Sequence, residues 1–365
     1  MLCKAPWNHI QINAEGVINP CCMFSPSMYK KEYKSLQEAF DGPENADLRK
    51  RMLAGEKIKG CEKCDLYTEI GIEPYRNYFD HYEINNPKIR ELEFSLDNHC
   101  NFKCVTCNSR FADGWYKEDI ELLDMGLSRT KSKAVRQGHG LVTYPGNIKD
   151  LDLTELRYLK MLGGEPFINR KYLELLENID LSNVTVMLTT NNSVFPKDWI
   201  ETILKCKKFR LMVSLDGVDD VGEFVRYGMK QSRFTKNLMK WKEVADDNEQ
   251  VVGSFNYVFH ILNSLNLNKT IEYTERTGWK FVVDFLTGPE YLNVQHLPWN
   301  LKQEIKQNIT KYSEVSAIEN FLDGGIYNDK HMKDFIKYTN FLEQRAILPE
   351  ECEYIYEKVL YDRSL

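Results

Sequence analysis

Hydrophobic residues recur along the middle of the chain in two rhythms. Runs with period-two alternation, or with continuous β-branched and aromatic content, predict strands at 91–96, 156–162, 184–190, 209–215, 251–262 and 279–286. Stretches with apolar residues three or four apart predict helices between them, as at 171–178, 197–205 and 235–246. Such β–α alternation implies a mostly parallel sheet covered by helices, and six strands of this kind make an open or partial barrel. From residue 291 on the pattern is helical, with Leu301, Ile305 and Ile309 at four-residue spacing. The basic, glycine-containing segment 129–146 has little periodicity and reads as a loop or lid.

The polar positions that interrupt this pattern fall where parallel barrels collect functional groups, at the carboxyl ends of strands. Cys100, Cys104 and Cys107, spaced C-x3-C-x2-C, follow the first predicted strand. Gly163-Gly164-Glu165-Pro166 follows the second, Asn191-Asn192 the third, and Ser214-Leu215-Asp216-Gly217 closes the fourth. Three thiolates on one tight loop each hold one iron of a cubane, which leaves the fourth iron without a protein ligand. A cluster that only passes electrons normally has four protein ligands, so three point to chemistry at the open iron. A zinc knuckle with His99 as fourth ligand is the alternative reading.

Composition narrows the classes. The 365 residues leave room for two domains, and 42% hydrophobic with 28% charged residues is ordinary for a globular protein. A net charge of −6 argues against tight duplex nucleic-acid binding. No stretch approaches the ~20 apolar residues of a membrane span, so no membrane partner is expected. Trp7, His9, Gln11 and Asn13 interrupt any apolar export segment. The expected compartment is a reducing cytoplasm, where clustered cysteines bind metal or do redox work. The ten cysteines are clustered: Cys3, Cys21, Cys22, Cys61 and Cys64 at the front, the triplet, and Cys206 and Cys352 apart. The last two read as small buried hydrophobes.

The triplet after a first strand, with Gly163-Gly164-Glu165-Pro166 after a second, resembles the radical S-adenosylmethionine superfamily. The resemblance implies a partial (β/α)6 TIM-like barrel and a [4Fe-4S] cluster on Cys100, Cys104 and Cys107 that chelates S-adenosylmethionine at its open iron. It also implies reductive cleavage of that cofactor to a 5′-deoxyadenosyl radical that abstracts hydrogen from a substrate. Gly163, Gly164 and Glu165 are then expected at the methionine end and Arg226 at its carboxylate; Asn191, Ser214 and Asp216 are expected at the ribose. The position before the last cysteine, usually aromatic in this superfamily, is Thr106, so Phe102 or Tyr257 is expected against the adenine.

The front cysteines, with Pro6-Trp7, Gly16 to Cys22 and Gly60-Cys61-x2-Cys64, look like a SPASM or twitch auxiliary-cluster domain, here preceding the barrel. The resemblance implies a second, auxiliary [4Fe-4S] cluster on Cys3, Cys21, Cys61 and Cys64, with Cys22 as the alternative ligand. A structural zinc site fits the same residues. The expected organisation is an auxiliary-cluster domain at 1–85, the barrel at 86–288 and a helical C-terminal extension at 289–365. The expected partners are S-adenosylmethionine, a reducing donor such as a flavodoxin or ferredoxin, and a peptide substrate modified as maturases do. A small molecule, sugar or nucleoside is the other substrate class, and a zinc-stabilised binding protein the non-catalytic rival.

Overall fold

The computed structural model describes residues 2–25, 33, 35–127, 140–143 and 153–361. The segment expected as a lid, 129–146, lies outside the described residues apart from 140–143. Among the described residues the strands are β1 (His9–Ile12), β2 (Ile18–Asn19), β3 (Glu91–Ser95), β4 (Lys103–Cys104), β5 (Tyr158–Leu162), β6 (Thr185–Thr190), β7 (Lys208–Ser214), β8 (Arg226–Tyr227), β9 (Val251–Phe259) and β10 (Lys280–Phe285). Strands β3, β5, β6, β7, β9 and β10 fall on the six runs read as strands from the sequence. The fifth run ends as a strand at Phe259 and turns into a short 3-10 helix, Ile261–Asn263. The fold is α/β, with a mostly parallel arrangement of strands joined by helices.

The chain divides into two compact units. The first comprises 1–98, 141–188 and 196–210; the second comprises 99–140, 189–195 and 211–365. In the first unit β1 pairs antiparallel with β2 and parallel with β3, β3 pairs parallel with β5, and β5 with β6. The front hairpin is thus part of the sheet itself. Residues paired across parallel strands share a face. Ile10, Leu92, Leu159 and Val186 line one face with Ile12, Phe94, Met161 and Leu188, and all eight are buried. The helix Arg170–Glu177 covers this face through Tyr172, whose ring stacks on Phe94 at 5.7 Å. Each such side chain contributes roughly 1.5–3 kcal/mol of burial.

The opposite face of the same strands is polar, carrying His9, Gln11, Glu91, Glu93, Tyr158 and Lys160. Glu93 is fully buried there. Its carboxylate lies 3.0 Å from the Lys160 ammonium and accepts from Gln11 Nε2 at 3.0 Å. A charge this deep is tolerable only when paired and hydrogen-bonded.

In the second unit β9 and β10 run parallel, and β4 and β8 form a short antiparallel pair. Gly253 is required in β9, since a Cβ there would lie 2.1 Å from the Trp279 ring. The C-terminal stretch is helical, at Trp299–Asn308, Val315–Asp323, Asp329–Glu343 and Glu350–Tyr361. Cys352 is fully buried on the last helix, with Sγ 3.0 Å from the Leu262 carbonyl. In the first unit Cys206 is buried as well. Among the described residues no helix is long and apolar enough to cross a membrane.

Glu91 sits on the polar face, 1% exposed, with Tyr82 donating to Oε1 at 2.7 Å. Burial pushes its carboxyl up to about 7, against the pull of that hydrogen bond. An unfolded glutamate titrates near ~4.3, so between the two values the folded protein binds the extra proton and stability falls as pH rises. Glu91→Gln, neutral at every pH, is expected to gain about 2–3 kcal/mol on the wild type between about pH 4.5 and pH 8. Urea unfolding across that range checks it; parallel profiles would count against a protonated Glu91.

Candidate metal centres

Each unit holds one group of cysteines. In the first, Cys3, Cys21, Cys61 and Cys64 face a cavity of about 410 Å³. Cys3 precedes the short helix Ala5–Asn8, and Cys21 follows β2. Cys61 caps the helix Glu62–Glu69 that carries Cys64 in its first turn, and the Cys64 N–H donates to the Cys61 carbonyl at 3.0 Å. Trp7, Phe24, Leu48, Met52 and Ile58 pack behind them. Gly60 has φ +106°, and a Cβ there would lie 2.7 Å from the Phe24 ring, so the turn into Cys61 admits glycine alone.

Burial, with the neighbouring thiols adding to it, pushes Cys3 up to about 12, Cys61 to about 11 and Cys21 well above the ordinary thiol range. Such thiols stay protonated at neutral pH unless a bound cation stabilises their thiolates. Four cysteines lining one cavity therefore suit a metal or an iron–sulfur cluster.

Cys22 does not line this cavity. It lies in the turn after β2 and faces Lys160, whose Nζ donates to its Sγ at 3.7 Å. Burial and then the Glu93 carboxylate push this thiol up to about 12. From the sequence Cys21 and Cys22 were equivalent; their surroundings differ.

The triplet belongs to the second unit. The Cys107 N–H donates to the Cys104 carbonyl at 2.9 Å, which closes a tight turn. All three thiols are half-buried and free of disulfides. The loop is fastened from outside: Trp115 Nε1 donates to the Cys104 carbonyl at 3.1 Å and the Tyr338 hydroxyl to the Val105 carbonyl at 2.8 Å. Asn191 lies with Nδ2 3.7 Å from Cys100 Sγ and donates to Asn101 Oδ1 at 2.9 Å. His99 is engaged by Asp113, its Nδ1 2.9 Å from the carboxylate, and the same carboxylate accepts from the Cys100 N–H at 3.1 Å.

Cys104 pairs with Arg226 across β4 and β8. Arg226 is buried and its Nη1 donates to Asp216 at 2.5 Å; the other Asp216 oxygen accepts from the Val258 N–H at 2.9 Å. Arg226 Nε is buried with no hydrogen-bond partner among the described residues. Burial opposes the guanidinium charge, yet Cys104 and Asp216 outweigh it and hold the group more basic than usual. Burial pushes Cys104 up while Arg226 pulls it down.

The remaining predicted residues are placed as follows. Ser214 ends β7 and is half-buried. Phe102 is buried against Gly228, where a Cβ would come within 2.9 Å of the ring. Tyr257 is fully buried, and its hydroxyl donates to the Asn263 carbonyl at 2.6 Å.

Gly163, Gly164 and Glu165 follow β5 in the first unit. Gly163 has φ +139°, and a Cβ there would lie 2.3 Å from the Tyr172 hydroxyl, which itself donates to the Leu162 carbonyl and accepts from the Leu96 N–H. The fold alone demands this glycine. The Gly164 N–H donates to the Asp97 carbonyl at 3.3 Å. Glu165 is buried and caps the 3-10 turn Pro166–Ile168, accepting from the Phe167 N–H at 3.3 Å. Sequence reasoning missed Glu93, Lys160 and Asp113; charges within a strand's alternation were the available signal for the first two.

Residues 3–65 match the family model SPASM, an iron–sulfur cluster-binding domain. No curated protein matches the chain. Among solved structures, Streptococcus suis SuiB bound to S-adenosylmethionine is similar at 17% identity and TM-score 0.39, over 61% of this chain and 47% of that one. The anSMEcpe protein with bound AdoMet is similar at 17% identity and TM-score 0.35, over 67% and 57%. SuiB bound to the precursor peptide SuiA aligns at 14% identity and TM-score 0.36, over 88% and 56%. The chain thus spans about half the length of these structures. The SPASM match takes in Cys3, Cys21, Cys61 and Cys64, and it bears out the resemblance that the front cysteines carry.

Proposed function

We propose that this chain is a radical S-adenosylmethionine enzyme with an auxiliary cluster, acting on a peptide. The observation that carries the reading is the presence of two separate cysteine groups. One group is four thiols around a 410 Å³ cavity within a matched iron–sulfur cluster-binding domain; the other is a triplet on a fastened loop. In this reading Cys100, Cys104 and Cys107 hold the catalytic [4Fe-4S] cluster, and Cys3, Cys21, Cys61 and Cys64 the auxiliary one. Bound there, the open cluster supplies an electron to S-adenosylmethionine and so a 5′-deoxyadenosyl radical for hydrogen abstraction.

The chain's own residues do the rest. Arg226, charged and fixed by Asp216, has an unpartnered Nε as a donor for the cofactor carboxylate. Asn191, beside Cys100 Sγ, is a donor to cluster sulfur and, with Ser214 and Asp216, a partner for ribose hydroxyls. In this reading the backbone of Gly163 and Gly164 meets the methionine end, and Phe102 or Tyr257 meets the adenine. The front domain spans 1–85, the barrel 86–288 and the helical extension 289–365. The resemblance of the front domain favours a peptide, because SPASM-bearing members of the superfamily frequently modify peptides. A flavodoxin or ferredoxin supplies the electron.

Anaerobically reconstituted protein is expected to be brown, with about eight irons per chain from two four-iron clusters. A colourless protein loaded with zinc would leave the binding-protein reading standing instead. Cys104→Ala should abolish 5′-deoxyadenosine formation and keep about four irons per chain; continued cofactor cleavage would refute the assignment of the open cluster. For the auxiliary site, Cys21→Ser should lose about four irons while Cys22→Ser keeps all of about eight. The reverse outcome would make Cys22 the ligand.

A further inference from the structure

We propose a divalent transition-metal site formed by Glu290, His296 and His331, apart from both cysteine groups. The three residues come from separate pieces of the second unit: the 3-10 turns Glu290–Leu292 and Val294–His296, and the first turn of the helix Asp329–Glu343. Their ligand atoms all lie within 4.8 Å of one another. Each histidine's backbone is fixed by a neighbouring asparagine. The His296 N–H donates to the Asn293 carbonyl at 3.2 Å, and Asn328 Oδ1 accepts from the His331 N–H at 3.1 Å.

The contacts of His296 carry the argument. Its Nδ1 is 3.2 Å from the Ile326 carbonyl and its Nε2 is 2.9 Å from Glu290 Oε2, so both ring nitrogens face oxygen acceptors. A neutral imidazole has one N–H and can satisfy only one of them. With Nδ1–H on the backbone carbonyl, the Nε2 lone pair points at a carboxylate, and the pair needs a positive charge between them. A backbone carbonyl on the outer nitrogen is the usual second-shell support of a metal-bound histidine.

A proton on Nε2 is the competing answer. His331 lies with its ring centroid 4.5 Å from that of His296, so a second imidazole brings a ligand atom within 4.8 Å of the same pair. One cation shared by three ligands serves both rings, whereas an imidazolium serves neither the second ring nor its lone pair.

Two imidazoles and one carboxylate, leaving an open fourth position, are a donor set that suits zinc. Zinc bonds of about 2.0–2.2 Å would set the three ligand atoms roughly 3.3 Å apart, close to the existing His296–Glu290 spacing. Glu290 is half-exposed, with a side chain 54% accessible, and has room to adjust. An ion here would tie the start of Asp329–Glu343 to the chain that follows β10.

The test uses the holoenzyme with its clusters reconstituted, exposed to zinc chloride and desalted. About one zinc per chain is expected, with a zinc-edge X-ray absorption spectrum showing nitrogen and oxygen neighbours and no sulfur. His296→Ala and His331→Ala should each weaken zinc binding by more than about 100-fold, beyond the ~10–100-fold of a lost outer-shell partner. Their iron content should be unchanged. If either alanine variant misfolds, His296→Gln and His331→Gln give the same comparison at similar volume. Zinc should also raise the thermal midpoint of the wild type and not of the variants. Failure to retain zinc, a sulfur shell, or variants that bind as the wild type does would each overturn the site.

Discussion

Four cysteines around a cavity, Cys64 buried and the others half-buried, set the terms for the front of this chain. Burial holds Cys3, Cys21 and Cys61 well above the ordinary thiol range, so as neutral groups they are weak hydrogen-bonders. Behind them the apolar support is small: Trp7, Phe24, Leu48, Met52 and Ile58. A core of that size stabilises a small module poorly, and natural small modules make up the deficit with metals or disulfides. These cysteines are free thiols, and a cation bound by them would add its binding energy to the stability of the module. The hairpin is held by two further attachments, β1 pairing with β3 and His9 Nδ1 at 2.9 Å from the Pro20 carbonyl. The front module therefore shares its fate with the first unit's sheet.

The six barrel-like strands were legible because their apolar residues follow the pleat, and Leu92, Phe94, Leu159 and Met161 all turn to one buried face. Strands β1 and β2 were not legible. They have four and two residues, too few for the alternation of His9–Ile12 to stand out from its surroundings. Pairing with β3 makes β1 a strand, which is a tertiary effect overriding weak local preference. The cysteine spacings told which residues group together, but not that Cys21 and Cys22 have different partners, because that depends on which way a two-residue strand exits. The sequence reads Gly163 as a gap for a ligand; the structure adds Tyr172, nine residues on in sequence, as the side chain that fills it. Glu290, His296 and His331 have no motif spacing at all, and only the packing of Asp329–Glu343 brings them together.

The polar face of the first unit shows a conflict between local pattern and burial. In an isolated sheet Glu91, Glu93 and Lys160 would read as the solvent side of a half-buried strand. Instead Glu91 and Glu93 are 1% and 0% exposed. The two carboxylates are handled differently. Glu93 keeps the Lys160 ammonium at 3.0 Å, and that ammonium is held more basic than usual by Cys22 and Glu93 despite its own burial. Glu91 accepts from the Tyr82 hydroxyl, and burial pushes its carboxyl up to about 7. Alternate positions on one strand thus sit in different electrostatic surroundings.

The same logic separates the roles open to Arg226. Had it lain on the surface, its fork would be solvated and its contact with Asp216 worth little. Buried, it cannot release its proton, and a single Nη1 contact leaves Nε without a partner. An unsatisfied N–H on a buried cation costs more than a neutral one, so the arrangement is unfavourable as it stands and improves with any anion that reaches Nε. Asp216 meets the fork through one oxygen on Nη1, while its other oxygen accepts from the Val258 N–H. The residue that fixes Arg226 therefore also leaves part of it unpaired. A carboxylate ligand would complete the fork without breaking the Asp216 pair, which is the physical reason to regard this ion pair as a support for binding and not as a self-contained salt bridge.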